Sequence, residues 1–240
     1  MKNILFFALL ILVACQSESP NNTGKTETNM PEKKEPITFL ALGDSYTIGE
    51  SVEESGRWPV QLAKLLHDDS ILVASPKIIA QTGWTTDELK AAIEAEKITE
   101  TYGLVSLLIG VNNQYRGEAR GGYNPEGFRG EFAELLDMAI AFANQDKSRV
   151  FVVSIPDYGV TPFAADSDTA KISEEIDIYN GIKQEISLAK GIQYFDITPI
   201  SREANTDASL VAADGLHPSA EMYKRWVNEV ILEEIKSKLK

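Results

Sequence analysis

The stretch FLALGDSYTIGES, residues 39–51, decides how the rest of the chain is read. An apolar run breaks at Gly43 and delivers an aspartate and then a serine. Two readings of Ser45 stand side by side: a capping residue at the start of a helix, or a nucleophile carried on the end of a strand. Similar short apolar runs recur along the chain. ITFLAL (37–42), KIIAQ (77–81), LVSLLIG (104–110), RVFVVSI (149–155) and IQYFDI (192–197) are mostly rich in β-branched residues and bounded by turn residues. Strands buried on both faces read this way.

Helical patterns lie between these runs. Residues 85–97 open with Thr85 and Glu88 at capping-box spacing. Residues 125–143 begin at Pro125, and Ile172, Ile176, Tyr179, Ile182 and Ile186 fall on one face of a later helix. The last helix is expected to start at Pro218 and closes on lysines. Strands alternating with helices predict an α/β fold, a doubly wound sheet of about five parallel strands with helices on both faces. Ligands of such sheets bind at the carboxyl ends of the strands, which is where Ser45 must lie.

The 240 residues are 43% hydrophobic, enough for one domain with a sizeable core. The formal charge is −13, scattered over the chain. No clustered basic face is available to neutralise phosphates, so no nucleic-acid partner is expected. The first residues are set apart from the fold. A short basic start precedes eleven apolar residues, 4–14, too few to cross a bilayer but suited to a signal-peptide core. Leu12-Val13-Ala14-Cys15 resembles the lipobox of bacterial lipoproteins. That resemblance implies a signal peptide over 1–14, cleavage before Cys15, lipidation of Cys15 and an extracytoplasmic, membrane-anchored protein. Cys15 is the only cysteine, so the mature domain forms no disulfide of its own. Residues 15–36 read as the lipidated cysteine and a flexible polar tether on the order of 25 Å long, leaving 37–240 as the domain.

A serine nucleophile needs a base, a group to orient the base, and donors for the oxyanion. The chain has two histidines. His67 falls at the end of an expected helix and reads as a solvated side chain. His217 lies on the loop before the last helix, three residues after Asp214, so that one turn can set the carboxylate beside the imidazole. Gly83 follows the second strand and can offer an open backbone N–H, and Asn112 follows the third with a side-chain amide. Each of these taken alone has an everyday reading as a turn residue. Ser45, Gly83 and Asn112 follow the first, second and third strands on one rim of the expected sheet, and the Asp214–His217 pair follows the last strand.

Gly43-Asp44-Ser45, Gly83, Gly110-Val111-Asn112 and Asp214-Gly215-Leu216-His217 resemble, in order and spacing, the four blocks of the SGNH (GDSL-type) hydrolases. The resemblance runs from residue 37 to the C-terminus. It implies a flavodoxin-like three-layer fold and serine esterase chemistry without a metal or other cofactor. Carried over residue by residue, Ser45 is the nucleophile, His217 the base and Asp214 its orienter. The backbone N–H groups of Ser45 and Gly83 and the Asn112 side chain would form the oxyanion hole. Asn113 departs from the pattern, which has Asp there, and altered hydrogen bonding behind the site is expected. The α/β-hydrolase elbow G-x-S-x-G is absent, since Thr47 stands where its second glycine would be.

The segments after the third and fourth strands carry Tyr115, Arg116, Tyr123, Tyr158 and Phe163, which either anchor their loops or line a site for a polar or sugar-like leaving group. A short-acyl ester, including an O-acetylated glycan, is the expected substrate. A lysophospholipase or thioesterase activity and a non-catalytic ligand-binding lipoprotein are the alternatives. Nothing in the sequence specifies an oligomeric state.

Overall fold

Five parallel strands form the centre of the fold: β1 (Phe39–Asp44), β2 (Lys77–Gln81), β3 (Leu104–Leu108), β4 (Val150–Val153) and β5 (Gln193–Phe195). Their order across the sheet is β2-β1-β3-β4-β5. The computed structural model describes residues 35–117 and 124–240, which belong to one unit, Lys34–Lys240. The expected signal peptide, Cys15, nearly all of the tether and Tyr123 lie outside the described residues.

The strand interiors follow from composition. β1, β3 and β4 are buried at every position, as central strands covered on both faces must be. The edge strands β2 and β5 are shorter on apolar burial and partly exposed. One layer of helices holds α3 (Thr86–Glu96), α5 (Pro125–Phe142) and α6 (Thr169–Lys190), which pack against one another. The other holds α2 (Trp58–Asp68) together with α8 (Ala220–Arg225), a π-helical stretch Trp226–Ile231 and α9 (Leu232–Leu239). Trp58 of α2 meets Phe39 and Phe151 at ring-centroid distances of 6.4 and 6.2 Å, joining that layer to β1 and β4. The doubly wound three-layer architecture expected from the sequence is the one observed.

Two local expectations meet different outcomes. Thr85 caps α3 with Glu88 as its capping-box partner, and Glu88 Oε2 accepts from the Thr85 N–H at 2.9 Å. Pro218 does not start the last helix. It forms an isolated antiparallel bridge with Val211, and Ser219 caps α8, accepting from the Met222 N–H at 3.2 Å. A proline outside the helix holds the preceding loop in place, and the hydroxyl one residue later supplies the cap that proline lacks.

The strand order reverses between β1 and β3. In this order the crevice beyond the carboxyl ends of those two strands is the ligand site. Ser45 opens α1 (Ser45–Ile48) directly after β1, and Asn112 lies in α4 (Val111–Tyr115) just after β3.

Candidate active site

The question over Ser45 is answered by its neighbour. Asp44 is the N-cap of α1, accepting from the Tyr46 N–H at 3.1 Å, so Ser45 is the first helical residue and its hydroxyl is not used for capping. Gly43 makes the tight strand-to-helix turn possible. A Cβ there would sit 2.1 Å from Thr47 Oγ1 and 2.4 Å from the Leu108 carbonyl. Ser45 is 4% exposed, and that sliver of surface opens into a cleft of about 290 Å³.

His217 and Gly83 line the same cleft, as do Asn112 and Tyr46. His217 Nδ1 lies 2.6 Å from Asp214 Oδ2. Asp214 Oδ1 accepts from the backbone N–H groups of Leu216 and His217 at 2.9 and 3.0 Å. The Ser51 hydroxyl donates to Asp214 Oδ2 at 2.7 Å. Partial burial works to raise the Asp214 carboxyl, but the bonds from Ser51, Leu216 and His217 outweigh it and hold the group well below the usual carboxylate range. A carboxylate facing Nδ1 accepts a hydrogen bond from the ring N–H there, fixing that tautomer and leaving Nε2 as the basic atom. Tyr46 supports the imidazole from the side, edge to face at 5.7 Å. The Ser45 and His217 side chains are not hydrogen-bonded to each other, a loose arrangement common in unliganded sites of this kind. His67 is exposed at the end of α2, as its sequence position implied.

The Gly83 and Asn112 side of the cleft is assembled from two segments that hold each other. Gly83 has φ +89°, a conformation an L-residue with a Cβ rarely adopts, and it turns the chain after β2 toward α4. The Asn112 amide donates to the Trp84 carbonyl at 2.9 Å, which leaves its second hydrogen for a ligand. Asn113 bonds the first turn of α3 in both directions, donating to Thr86 Oγ1 at 2.7 Å and accepting from the Thr86 N–H at 3.2 Å. An aspartate could accept there but, when ionised, could not donate. Asn113 thus ties α4 to α3 through one donated and one accepted bond.

Arg116, expected either to anchor its loop or to line the site for substrate, is not part of the cleft wall. Its guanidinium donates to the Gly83 carbonyl at 2.9 Å and to Glu88 Oε2 at 2.7 Å. The turn at Gly83 aims a carbonyl at α4, and the capping-box carboxylate lies beside it; together they satisfy a forked donor better than open solvent would. Arg116 thus braces the Gly83 turn. Tyr115 and Tyr158 do line the cleft, together with Phe163. Tyr158 packs edge-on against Tyr115 at 5.9 Å and donates its hydroxyl to Gln114 Oε1 at 2.9 Å. Tyr115 and Phe163 remain 48% and 47% exposed, forming an open aromatic rim. The same three rings border a second hollow of about 520 Å³, whose wall includes Asp168, Lys171 and Glu175.

Ser51 went unnoticed in the sequence. It lies 163 positions from Asp214, and only the left-handed end of α1 at Gly49 returns the chain toward the histidine loop. Thr82 is a second such link: its hydroxyl bonds Glu50, tying the segment after α1 to the segment before Gly83.

Sequence comparison with curated proteins finds no match. The fold is shared with several solved structures. A lipase/acylhydrolase from Enterococcus faecalis aligns at TM-score 0.62 and 20% identity over 85% of this chain and 97% of its own. The acetylxylan esterase Axe2 from Geobacillus stearothermophilus aligns at 0.60 and 18% identity, over 83% of this chain and 94% of its own. The structure of TesA aligns at 0.61 and 20% identity over 85% of this chain and 98% of its own. Residues 41–225 match the GDSL-like lipase/acylhydrolase family, a span that contains Ser45, Gly83, Asn112, Asp214 and His217. The chain belongs to that family and is a carboxylic ester hydrolase.

Proposed function

We propose that the chain hydrolyses short-acyl esters of polar, sugar-like alcohols through an acyl-enzyme on Ser45. The observation that carries the catalytic part is the 2.6 Å contact between His217 and Asp214 at a cleft also lined by Ser45, Gly83 and Asn112. Ser45 Oγ attacks the ester carbonyl while His217 Nε2 takes its proton. Negative charge then builds on the carbonyl oxygen, facing the backbone N–H groups of Ser45 and Gly83 and the free hydrogen of the Asn112 amide. The intermediate collapses as His217 protonates the departing alcohol. Water repeats the sequence on the acyl-enzyme and frees Ser45. A fluorophosphonate probe is expected to label the wild-type chain and to leave Ser45→Ala unlabelled; labelling of Ser45→Ala would assign the nucleophile elsewhere.

The substrate reading rests on the aromatic rim. Tyr115, Tyr158 and Phe163 divide the cleft at Ser45 from a hollow bordered by charged side chains. A sugar ring suits such a boundary, with one apolar face for an aromatic ring and hydroxyls for the polar wall. A long acyl chain would have to lie against Asp168, Lys171 and Glu175 once past the rim, at a cost in desolvation. With p-nitrophenyl esters from C2 to C12, the highest kcat/KM is expected at C2 to C4. A maximum at C8 or beyond would favour a lysophospholipase or long-chain thioesterase instead.

We also infer that Cys15 carries lipid and anchors the protein outside the cytoplasm, from Leu12-Val13-Ala14-Cys15 after an apolar core. Metabolic labelling with an alkyne fatty acid should mark the wild-type chain and not Cys15→Ala.

A further inference from the structure

Lys183 occupies a position where the apolar stripe of α6 calls for a leucine. It is fully buried beside Ile176, Tyr179 and Ile186 of the same helix face, and the chemistry above does not use it. Lysine is almost never buried in this way without a partner. Its ammonium donates to the Ile109 carbonyl at 3.0 Å and the Val153 carbonyl at 2.8 Å, at the carboxyl ends of β3 and β4. It also lies 5.8 Å from the centre of the Phe132 ring.

Asp44 is fully buried at the end of the neighbouring strand. Its Oδ1 caps α1, while Oδ2 has no hydrogen-bond partner among the described residues. The Ile109 carbonyl that accepts from Lys183 belongs to the same peptide as the Gly110 N–H, which, like the Lys183 charge, acts to lower the Asp44 carboxyl. Burial pushes Asp44 up to about 7 and Lys183 down to about 7; each charge opposes the other's shift, and Asp196 also supports the ammonium. Two strand ends therefore meet at one cation, β3 and β4 through their carbonyls, with the Asp44 carboxyl at the end of β1 attracting it. Ser45, Asn112 and Tyr158 sit on the segments that leave those ends.

We propose that Lys183 is a positioning residue for ester hydrolysis: its ammonium, bonded to the ends of β3 and β4 and attracted to the buried Asp44 carboxylate that caps α1, holds the Ser45 turn and the Asn112 turn in mutual register. The proposal rests on the roles given above to Ser45 and Asn112. A buried ion is a poor device for stability alone, since well-packed apolar replacements are often neutral or stabilising. It is a good device for fixing the planes of several peptides at once, because each bond is directional and the charge cannot be left uncompensated. Register matters because an oxyanion donor misplaced by about 1 Å can cost on the order of 100-fold in rate.

Lys183→Met keeps the length of the side chain and removes its charge. The expected result is a folded protein whose kcat on p-nitrophenyl acetate falls by about 10- to 100-fold with KM within about twofold, since the loss is in alignment and not in binding. Asp44→Asn keeps an oxygen that can cap α1, and in that background Lys183→Met is expected to cost several-fold less than in the wild type. If folded Lys183→Met kept the wild-type kcat, or if its cost were the same in both backgrounds, the coupling would be overturned. Should Lys183→Met fail to fold, Lys183→Gln, which retains a donor for one carbonyl, carries the same two measurements. Fluorophosphonate labelling of the wild type separates the two levels of the argument. A labelled wild type with an unaffected Lys183 variant overturns the role of Lys183 alone, whereas an unlabelled and inactive wild type overturns the Ser45 assignment beneath it.

Discussion

At the Ser45 end of the site the backbone does the positioning, and at the His217 end side chains do. Ser45 leaves a strand buried at all six positions, through a turn that admits no Cβ at Gly43, with Asp44 closing the helix start. His217 lies on a loop outside the sheet, joined to the fold locally by the Val211–Pro218 bridge. Its imidazole is oriented by one carboxylate, which accepts from Ser51, Leu216 and His217. The contrast divides the site into a rigid half set by topology and an adjustable half set by hydrogen bonds. Side-chain changes on the cleft wall, unlike those at the buried Lys183 and Asp44, should therefore leave Ser45 where it is and act most strongly through the histidine.

Asp214→Asn is the severest test of that contrast. The amide can keep much of the geometry but can offer its NH2 to Nδ1, favouring the wrong tautomer of His217. A loss of about 10³- to 10⁴-fold in kcat is expected, by analogy with the same change in other Ser-His-Asp sites. The substitution also carries a stability signature. A carboxylate held below its ordinary value stabilises the fold above the unfolded-state pKa, and that contribution is lost as pH falls through the lower folded-state value. The wild type should thus be more stable than Asp214→Asn at neutral pH, with the gap closing only in strongly acidic solution. A gap constant from pH 7 to pH 2 in thermal melts would show that the carboxylate is not held by these bonds.

Asn112→Ala probes the other half. Losing one oxyanion donor is expected to lower kcat by ~10²–10³-fold with little change in KM. The same change frees the Trp84 carbonyl, so part of the loss could come from a shifted Gly83 turn. Arg116→Met separates the two effects, since it releases the Gly83 carbonyl and leaves Asn112 in place. A loss on the order of tenfold is expected there, by misalignment of one donor. If Arg116→Met equalled Asn112→Ala, the turn and not the amide would be the main contributor.

The sheet and the site backbone were legible in the sequence because the central strands are buried on both faces and keep a continuous apolar signature. The site residues that could be read are those at strand ends, where topology alone brings Ser45 and Asn112 to one crevice. What could not be read depends on where a side chain turns once several segments have met. Arg116 follows α4 like a loop cation, and its partner is a carbonyl supplied by a different strand end. Lys183 stands in the isoleucine stripe of α6 without a signal of its own, because a lysine in a helix normally belongs to the solvent face. Asp44 took the cap that the sequence left open to Ser45. In each case the deciding partner is distant in sequence or is a backbone group, and neither leaves a local pattern.

Ser51 is the smallest and sharpest probe of the adjustable half. It is a non-glycine residue at φ +62°, a conformation that costs on the order of 1 kcal/mol or more, and its hydroxyl bond to Asp214 is what that conformation provides. Two substitutions separate the backbone from the hydroxyl. Ser51→Ala keeps the strained φ and loses the bond; Ser51→Gly loses the bond and relieves the strain. If the hydroxyl matters to catalysis by steadying Asp214, both variants should lose about three- to tenfold in kcat, in line with one hydrogen bond to a charged group that keeps its other donors. Their stabilities should then diverge, with Ser51→Gly melting above Ser51→Ala. Equal melting temperatures would remove the strain from the account. Wild-type kcat in both variants would show that the bonds from Leu216 and His217 hold the carboxylate unaided, and that the histidine half of the site is as firmly set by its loop backbone as Ser45 is by the sheet.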